Sequence, residues 1–133
     1  MVQRSKIHTA AAPAAIGPYV QANVFGDLIF VSGQLPIDPA TGEFAGDTIE
    51  AQTDRSLKNI AAILEAAGAS MKDVLKTSVF LSDIEHFAAM NAVYAGFFDA
   101  DAPPARSAVE VARLPKGALV EIEAIACAGS SRK

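Results

Sequence analysis

Two periods of apolar residues run along the first half of the chain, and the change between them separates a strand from a helix. The segment DLIFVSGQ, residues 27–34, is a short apolar run rich in β-forming residues, and the turn residues after it end the predicted strand. From Asp47 onward, apolar residues recur at helical intervals, which predicts a helix over about 49–67 that stops at Gly68. Its first residues, DTIE, have the spacing of a capping box headed by Asp47.

The second half of the chain repeats the order of a strand followed by a helix. DVLKTSVFLS, residues 73–82, alternates and predicts a strand with one face formed by Leu75, Thr77, Val79 and Leu81. SDIE, residues 82–85, has capping-box spacing and opens a helical period that predicts a second helix over about 83–98. PPARSAVEVARLPKGALVEIEAIA, residues 103–126, supplies two more strands, which we expect to form a hairpin around RLPKG.

The order of these elements indicates the fold class. A β-α-β-α-β-β order, with one or two further strands before it, is typical of an α+β domain with two helices on one face of a mixed sheet. No shift of composition divides the 133 residues, so residues 1–133 are treated as a single domain. Hydrophobic residues make up 51% and charged residues 20%, which is enough for a core and leaves apolar surface for a subunit interface.

The charge and motif content argue against several classes of function. A net charge of −4 with scattered basic residues gives no favourable field for a phosphate backbone, so nucleic acid is not an expected partner. Apolar runs stay far below the roughly 18 residues of a membrane span, so we expect no membrane partner and a soluble, cytoplasmic protein. With Cys127 as the single cysteine and no phosphate-loop, dinucleotide or zinc-protease motif, no metal or organic cofactor is expected.

The charges of the predicted terminal hairpin are the first candidates for chemistry. An even-numbered loop, such as four residues at 113–116, places Glu121 across from Ala108 and on the same sheet face as Arg106. Arg106 and Glu121 then form either an exposed ion pair worth under about 1 kcal/mol, or an anion site in which the arginine fork binds a carboxylate. Glu123 shares that face, and a solvated or ion-paired role suits it better than a paired-carboxylate hydrolase.

Three further positions are polar where the pattern is apolar or turns. Asn91 lies on the apolar stripe of the second predicted helix, so its amide pairs either with nearby backbone or with a ligand. Ser32 and Gly33 end a strand before a long loop, where a hydroxyl and free N–H groups can hold an oxyanion or carboxylate. Tyr19, in the turn IGPY, either closes a pocket or packs on the core.

Four segments of the sequence together resemble the RidA/YjgF family of reactive-intermediate deaminases. These segments are AIGPYVQA, VSGQLPIDPATG, LKTSVFLSDIEHFAAMNAVYAGFF and PPARSAVEVARLPKGALVEIEAIA, and the resemblance extends in the same order over about residues 8–127. It implies a chorismate-mutase-like α+β fold that forms a homotrimer with active sites between subunits. It also implies hydrolysis of 2-aminoacrylate and related 2-enamine or 2-imino acids, the products of serine and threonine dehydratases, to 2-oxo acids and ammonia without metal or cofactor.

The resemblance also implies a role for each candidate residue. Arg106 clamps the substrate carboxylate, Glu121 positions or deprotonates the attacking water, and the pocket is lined by Tyr19, Ser32, Gly33 and Asn91. Many family members carry a cysteine two residues after the arginine, whereas this chain has Ala108, so only the backbone of that strand can orient water or the imine. The alternative function is a trimeric protein that binds 2-oxo acids or other small carboxylates without turnover.

The ionisation of Glu121 stays open at the level of sequence. A nearby Arg106 lowers the pKa of a carboxyl group, whereas burial and a bound substrate carboxylate raise it. The balance depends on distances that the sequence does not contain.

Overall fold

The computed structural model describes residues 3–128, which form one mixed sheet and two α-helices. The strands are β1 (Arg4–Ile7), β2 (Ala22–Phe25), β3 (Leu28–Gln34), β4 (Val74–Leu81), β5 (Ala105–Glu110) and β6 (Val120–Cys127). The helices are α1 (Ile49–Ala66) and α2 (Phe87–Ala95). The strand order is β1-β2-β3-β6-β4-β5, with β5 parallel to β4 and the other neighbours antiparallel. The predicted α+β class is confirmed.

Helix α1 forms where its apolar period predicts it, because its signals are local. Gly68, just beyond its end, has φ of 80°, a left-handed conformation that suits glycine. The N-cap is Thr48, whose side-chain oxygen accepts a hydrogen bond from the N–H of Ala51 at 3.1 Å. The capping box predicted at Asp47 is therefore wrong by one residue.

Helix α2 is shorter than predicted. The cap of SDIE is Asp83, whose carboxylate accepts from the N–H of Glu85, and a short 3₁₀ helix, Ile84–His86, precedes α2. The α-helix ends at Ala95 before Gly96, so Phe98 lies beyond it, although its ring still packs against the core. The apolar period thus continued past the last helical turn.

Strand β4 contains an irregularity that alternation does not reveal. Its pairing with β6 shifts between Val74 and Lys76. Val74 is buried as a result, and Leu75 is 48% exposed, so the prediction that Leu75 shares a face with Thr77, Val79 and Leu81 is wrong. Beyond the shift, Thr77, Val79 and Leu81 share one face as predicted, and all three are buried.

The predicted hairpin between the last two strands is also wrong. Strand β4 lies between β5 and β6, and the segment RLPKG joins two strands that do not pair with each other. The alternate residues of β6 that face the core are all buried: Val120, Ile122, Ala124 and Ala126. Burial of this face in the middle of the sheet stabilises the central placement, because each large aliphatic side chain contributes about 1.5–3 kcal/mol on burial.

The core lies between the two helices and one face of the sheet, here called the helix face. Its largest fully buried side chains include Ile29, Leu57, Ile60, Ile63, Leu64, Leu81, Met90 and Ile122. The other face, here called the open face, carries the exposed side chains of Phe25, Leu28, Phe30 and Val109. Neither helix in the described part of the chain is long and apolar enough to cross a membrane.

Candidate active site in two halves

Arg106 lies on the helix face of the edge strand β5, where α2 covers it. Its Nη1 donates a hydrogen bond to Oδ1 of Asn91 at 2.7 Å. Its Cζ lies 4.7 Å from the ring centroid of Tyr94 and 5.4 Å from that of Phe87. Cation–π contact and a charge-assisted hydrogen bond therefore hold the guanidinium in one place.

Tyr94 is fixed in turn by its own neighbours. Its hydroxyl oxygen is 2.7 Å from Oγ1 of Thr77, and its ring centroid is 4.7 Å from that of Phe98. Burial raises the pKa of Tyr94, and the smaller opposing effects of the Thr77 hydrogen bond and the Arg106 charge do not cancel it. The phenol is therefore neutral near pH 7, and it supports the guanidinium through its ring.

Arg106 is half-buried and has no carboxylate partner among residues 3–128. A cleft of about 410 Å³ beside it is lined partly by Asn91, Tyr94 and Phe98. A sheltered guanidinium with free donors at the wall of a cleft can bind a small carboxylate bidentately. The sequence allowed two interpretations of Arg106, an ion pair with Glu121 or an anion site. The ion pair is absent from residues 3–128, and the anion site stays a prediction.

Glu121 lies on the opposite face of the sheet from Arg106. Thr77 of β4 is in register with Arg106, whereas Phe80 of β4 is in register with Glu121. Positions three apart in a strand point to opposite faces. The predicted same-face pair is therefore wrong, because the parity argument assumed a hairpin and β4 intervenes.

The second half of the candidate site surrounds Glu121 on the open face. An ideal Cβ added at Gly33 would lie 2.5 Å from Oε2 of Glu121, so the missing side chain leaves room for the carboxylate. Ser32 and Gly33 lie where the pairing of β3 with β6 shifts, between Val31 and Gln34. The structure thus brings Ser32, Gly33 and Glu121 together.

The donors of Ser32 are already used within the chain. Its hydroxyl donates to the carbonyl of Val20 at 2.6 Å, and its N–H donates to the carbonyl of Gln21 at 2.9 Å. This differs from the expectation of free donors at the end of the strand. Ser32 therefore holds the chain before β2 against β3.

Tyr19 is 52% exposed and lines two clefts, of about 270 and 710 Å³, so it does not pack in the core. Gln21, which the sequence reasoning missed, anchors the segment that carries it. Its Nε2 donates to the carbonyl of Pro13 at 2.8 Å, and its Oε1 accepts from the N–H of Thr9 at 2.7 Å. The available signal was a polar amide just before the buried Ala22.

The environment of Glu121 raises its pKa above the ordinary value of 4.5. Burial is the larger cause, and repulsion from Glu123 is the smaller. Arg106 does not contribute, because it lies on the other face of the sheet. Glu123 is exposed, as its solvated role predicts.

Ala108 shares the helix face with Arg106 and packs against the core. Its methyl group offers no chemistry, so the strand presents only backbone polar groups at this position. Phe87 and Tyr94, which contact Arg106, were also missed, although both lie on the stripe that singled out Asn91. Within residues 3–128 no three of the His, Cys, Asp and Glu side chains are grouped to hold a metal ion.

The fold and the two half-sites define a small α+β domain with an arginine suited to binding an acid and a glutamate suited to proton transfer. Residues 9–128 match the family model described as Endoribonuclease L-PSP, and the chain belongs to that family. The resemblance to RidA/YjgF proteins is confirmed by named relatives.

Three similar proteins illustrate the relationship. A RutC family protein of Pyrococcus abyssi is 56% identical over 120 residues, which cover 90% of this chain and 94% of that protein. The 2-iminobutanoate/2-iminopropanoate deaminase of Salmonella typhimurium is 53% identical over 122 residues, again covering 90% and 94%. The solved structure of Escherichia coli TdcF with bound serine is 49% identical, has a TM-score of 0.87, and is matched over 92% of this chain and 98% of that chain.

Proposed function

We propose that this protein is a deaminase that hydrolyses 2-aminoacrylate and related 2-enamine or 2-imino acids to 2-oxo acids and ammonia. The observation that carries the proposal is Arg106, a half-buried cation beside a cleft with no carboxylate partner among the described residues. The name of the Salmonella typhimurium relative supports the reaction class, and the serine bound to TdcF supports a small amino-acid-like ligand.

The arrangement of the two half-sites favours a site shared between copies of the chain. Arg106 and Glu121 lie on opposite faces of one sheet, so a site that uses both requires Arg106 of one copy and Glu121 of another. The open face carries Glu121 together with the exposed aromatic side chains of Phe25 and Phe30, and this apolar surface suits association. We therefore propose a homotrimer with its active sites between subunits.

The chemistry uses binding, orientation and proton transfer to and from Glu121. Arg106 binds the substrate carboxylate through its fork, with Asn91 limiting rotation of the guanidinium, which brings C2 of the protonated imine to a fixed place. Glu121 accepts a proton from a water molecule while the oxygen of that water bonds to C2. Protonated Glu121 then returns this proton to the nitrogen of the carbinolamine. The C–N bond breaks, the hydroxyl loses its proton to the departing ammonia and becomes the carbonyl, so the protonated imine and water become 2-oxo acid and ammonium.

The raised pKa of Glu121 suits the role of general base. A carboxylate of higher pKa accepts a proton from water more readily. Because the imine is already electrophilic, a held carboxylate and one base are sufficient equipment. Ala108 removes any thiol from this strand, so we expect activity that is insensitive to reagents directed at that position.

A coupled assay tests the proposal. Serine or threonine dehydratase is mixed with the protein, and early release of pyruvate or 2-oxobutyrate is compared with a control lacking the protein. We expect faster release with the wild type, and a loss of about ten-fold or more in kcat/KM for Arg106→Met, because one charge-assisted hydrogen-bond pair contributes roughly 1.5–3 kcal/mol.

The matched control for that assay is Arg113→Met, which removes an exposed arginine that borders none of the clefts described above. It should behave as the wild type. If the wild type gives no acceleration but binds pyruvate through Arg106, the non-catalytic carboxylate-binding function is correct instead.

A further inference from the structure

Lys116 supplies the charge in a cleft that begins at the Glu121 half of the site. This cleft, here called the Tyr19 cleft, has a volume of about 270 Å³ and is lined by Tyr19, Gly33 and apolar side chains that include Ile16 and Leu35. Lys116 is the charged residue of its lining. A ligand group that enters from Gly33 therefore meets apolar side chains, the glutamines Gln21 and Gln34, and one cation.

The backbone of Lys116 adopts a conformation that lysine does not favour. Its φ is 58° and its ψ is 21°, and it is the non-glycine residue with positive φ among residues 3–128. A left-handed conformation costs a residue with a Cβ roughly 1–2 kcal/mol relative to glycine. Such strain at a non-glycine residue commonly accompanies a functional side chain.

The ammonium group of Lys116 has no partner within the described part of the chain. No ion pair or hydrogen bond joins it to residues 3–128. The lysine therefore does not compensate the backbone cost by a contact inside its own chain. A free cation in a cleft is a site for an anionic group.

We propose that Lys116 binds a second carboxylate, on the side chain of the substrate, so that the protein accepts dicarboxylic 2-imino acids. The inference rests on the proposed function, in which Arg106 binds the first carboxylate and Glu121 activates water beside Gly33. The Tyr19 cleft, at about 270 Å³, offers more room than the methyl-sized side chain of a three-carbon acid fills. Its walls accept methylene groups, and the ammonium group accepts the terminal acid.

The experiment compares two substrates with one variant. A flavin oxidase converts L-aspartate and O₂ to the dicarboxylic imine and H₂O₂, which catalase removes, and serine dehydratase supplies 2-aminoacrylate. Release of the 2-oxo acid gives kcat/KM for each substrate. Lys116→Asn removes the charge, and asparagine tolerates the left-handed conformation, so the backbone is preserved.

We expect Lys116→Asn to lower kcat/KM for the dicarboxylic imine about five-fold, mainly through KM, since solvent screens an exposed cation. Hydrolysis of 2-aminoacrylate should stay within two-fold of the wild type. Lys116→Arg should retain the preference. Arg113→Asn, which removes a charge from the same loop but not from the cleft, should change neither substrate.

Three results would overturn the inference. An equal loss for both substrates in Lys116→Asn, with an unchanged melting temperature, would assign Lys116 to loop geometry. Acceleration of 2-aminoacrylate hydrolysis by the wild type without acceleration of the dicarboxylic imine would remove the second carboxylate site and leave the proposed function intact. Acceleration of neither substrate would reject both.

Discussion

Arg106 illustrates how single residues prepare the proposed site. Its charge is partly removed from water without a compensating carboxylate, which costs free energy. The rings of Phe87 and Tyr94 and the amide of Asn91 offset part of that cost and fix the donor geometry. The guanidinium is already ordered before a carboxylate binds, so the Arg106 side chain loses less conformational entropy on binding.

As the proposed general base, Glu121 should make activity dependent on pH. As base it must be ionised, so kcat/KM should fall as pH decreases through a pKa that lies above 4.5. Glu123→Gln removes the smaller cause of the raised pKa, and the midpoint of the kcat/KM profile should move to lower pH. An unchanged midpoint in Glu123→Gln would contradict the contribution of Glu123.

The raised pKa of Glu121 makes folding stability and activity depend on pH in opposite directions. Activity should fall as pH decreases, whereas this contribution to stability falls as pH increases. The folded state holds the proton of Glu121 more tightly than the unfolded state, so this contribution to stability is present below pH 4.5 and is lost as pH rises through the folded pKa. As pH rises over this range, the free energy of unfolding should therefore decrease less for Glu121→Gln than for the wild type. Denaturant unfolding at several pH values measures the difference.

A substitution at Gly33 tests how the space beside the Glu121 carboxylate affects activity. Its backbone does not require glycine through positive φ, but an added Cβ would lie 2.5 Å from Oε2 of Glu121. Gly33→Ala should displace the end of this flexible side chain, lowering kcat about ten-fold while the free energy of unfolding changes by under about 1 kcal/mol. Full activity in Gly33→Ala would show that the position of the Glu121 carboxylate does not matter.

At the scale of elements, β4 connects the helix layer to the anion half of the site. Thr77 bonds to Tyr94 of α2, and Tyr94 supports Arg106 of the neighbouring strand β5. The position of the guanidinium thus depends on the packing of α2 against β4, and not on β5 alone.

Thr77→Val tests this connection. It removes the hydroxyl partner of a buried phenol, which costs about 1–3 kcal/mol of stability, and it should raise KM several-fold by loosening the ring under Arg106. The control is Thr48→Ala, which removes the N-cap of α1 at a cost of about 1 kcal/mol and should leave KM unchanged. Equal KM values in the two variants would show that Thr77 contributes to stability but does not position Arg106.

At the scale of the whole molecule, the two faces of the sheet carry the two halves of the proposed site, Arg106 on one face and Glu121 on the other. Arg106→Ala and Glu121→Gln should each lose activity about ten-fold or more when assembled alone. If the chains are unfolded together and refolded at equal amounts, about one quarter of inter-subunit sites should contain both native residues under random assortment. We expect activity to return to about that fraction, measured in the dehydratase assay.

This mixing experiment separates a shared site from a site within one chain. Each variant refolded alone serves as the control, and light scattering reports the assembly. Absence of any recovery, with trimers formed in the mixture, would contradict a site built from two copies.

The sequence by itself determined the local features and the chemical inventory of this protein. Helix α1 and its stop at Gly68 follow from hydrogen bonds and side-chain spacing within a few residues, so the pattern was sufficient. Asn91 stood out as the polar member of an apolar stripe, and its bond to Arg106 accounts for it. The family motifs singled out Arg106 and Glu121, but they did not indicate how the two side chains lie relative to each other in the fold.

Only the tertiary structure decided which strands are neighbours and which face each charge occupies. Strand pairing joins segments far apart in the chain, and the choice between a local hairpin and insertion of β4 depends on the apolar area buried by the whole sheet. That insertion moved Arg106 and Glu121 to opposite faces, removed Arg106 from the causes that set the pKa of Glu121, and left Glu123 as the charge that acts on it. These effects depend on distances in space, which no local pattern of residues encodes.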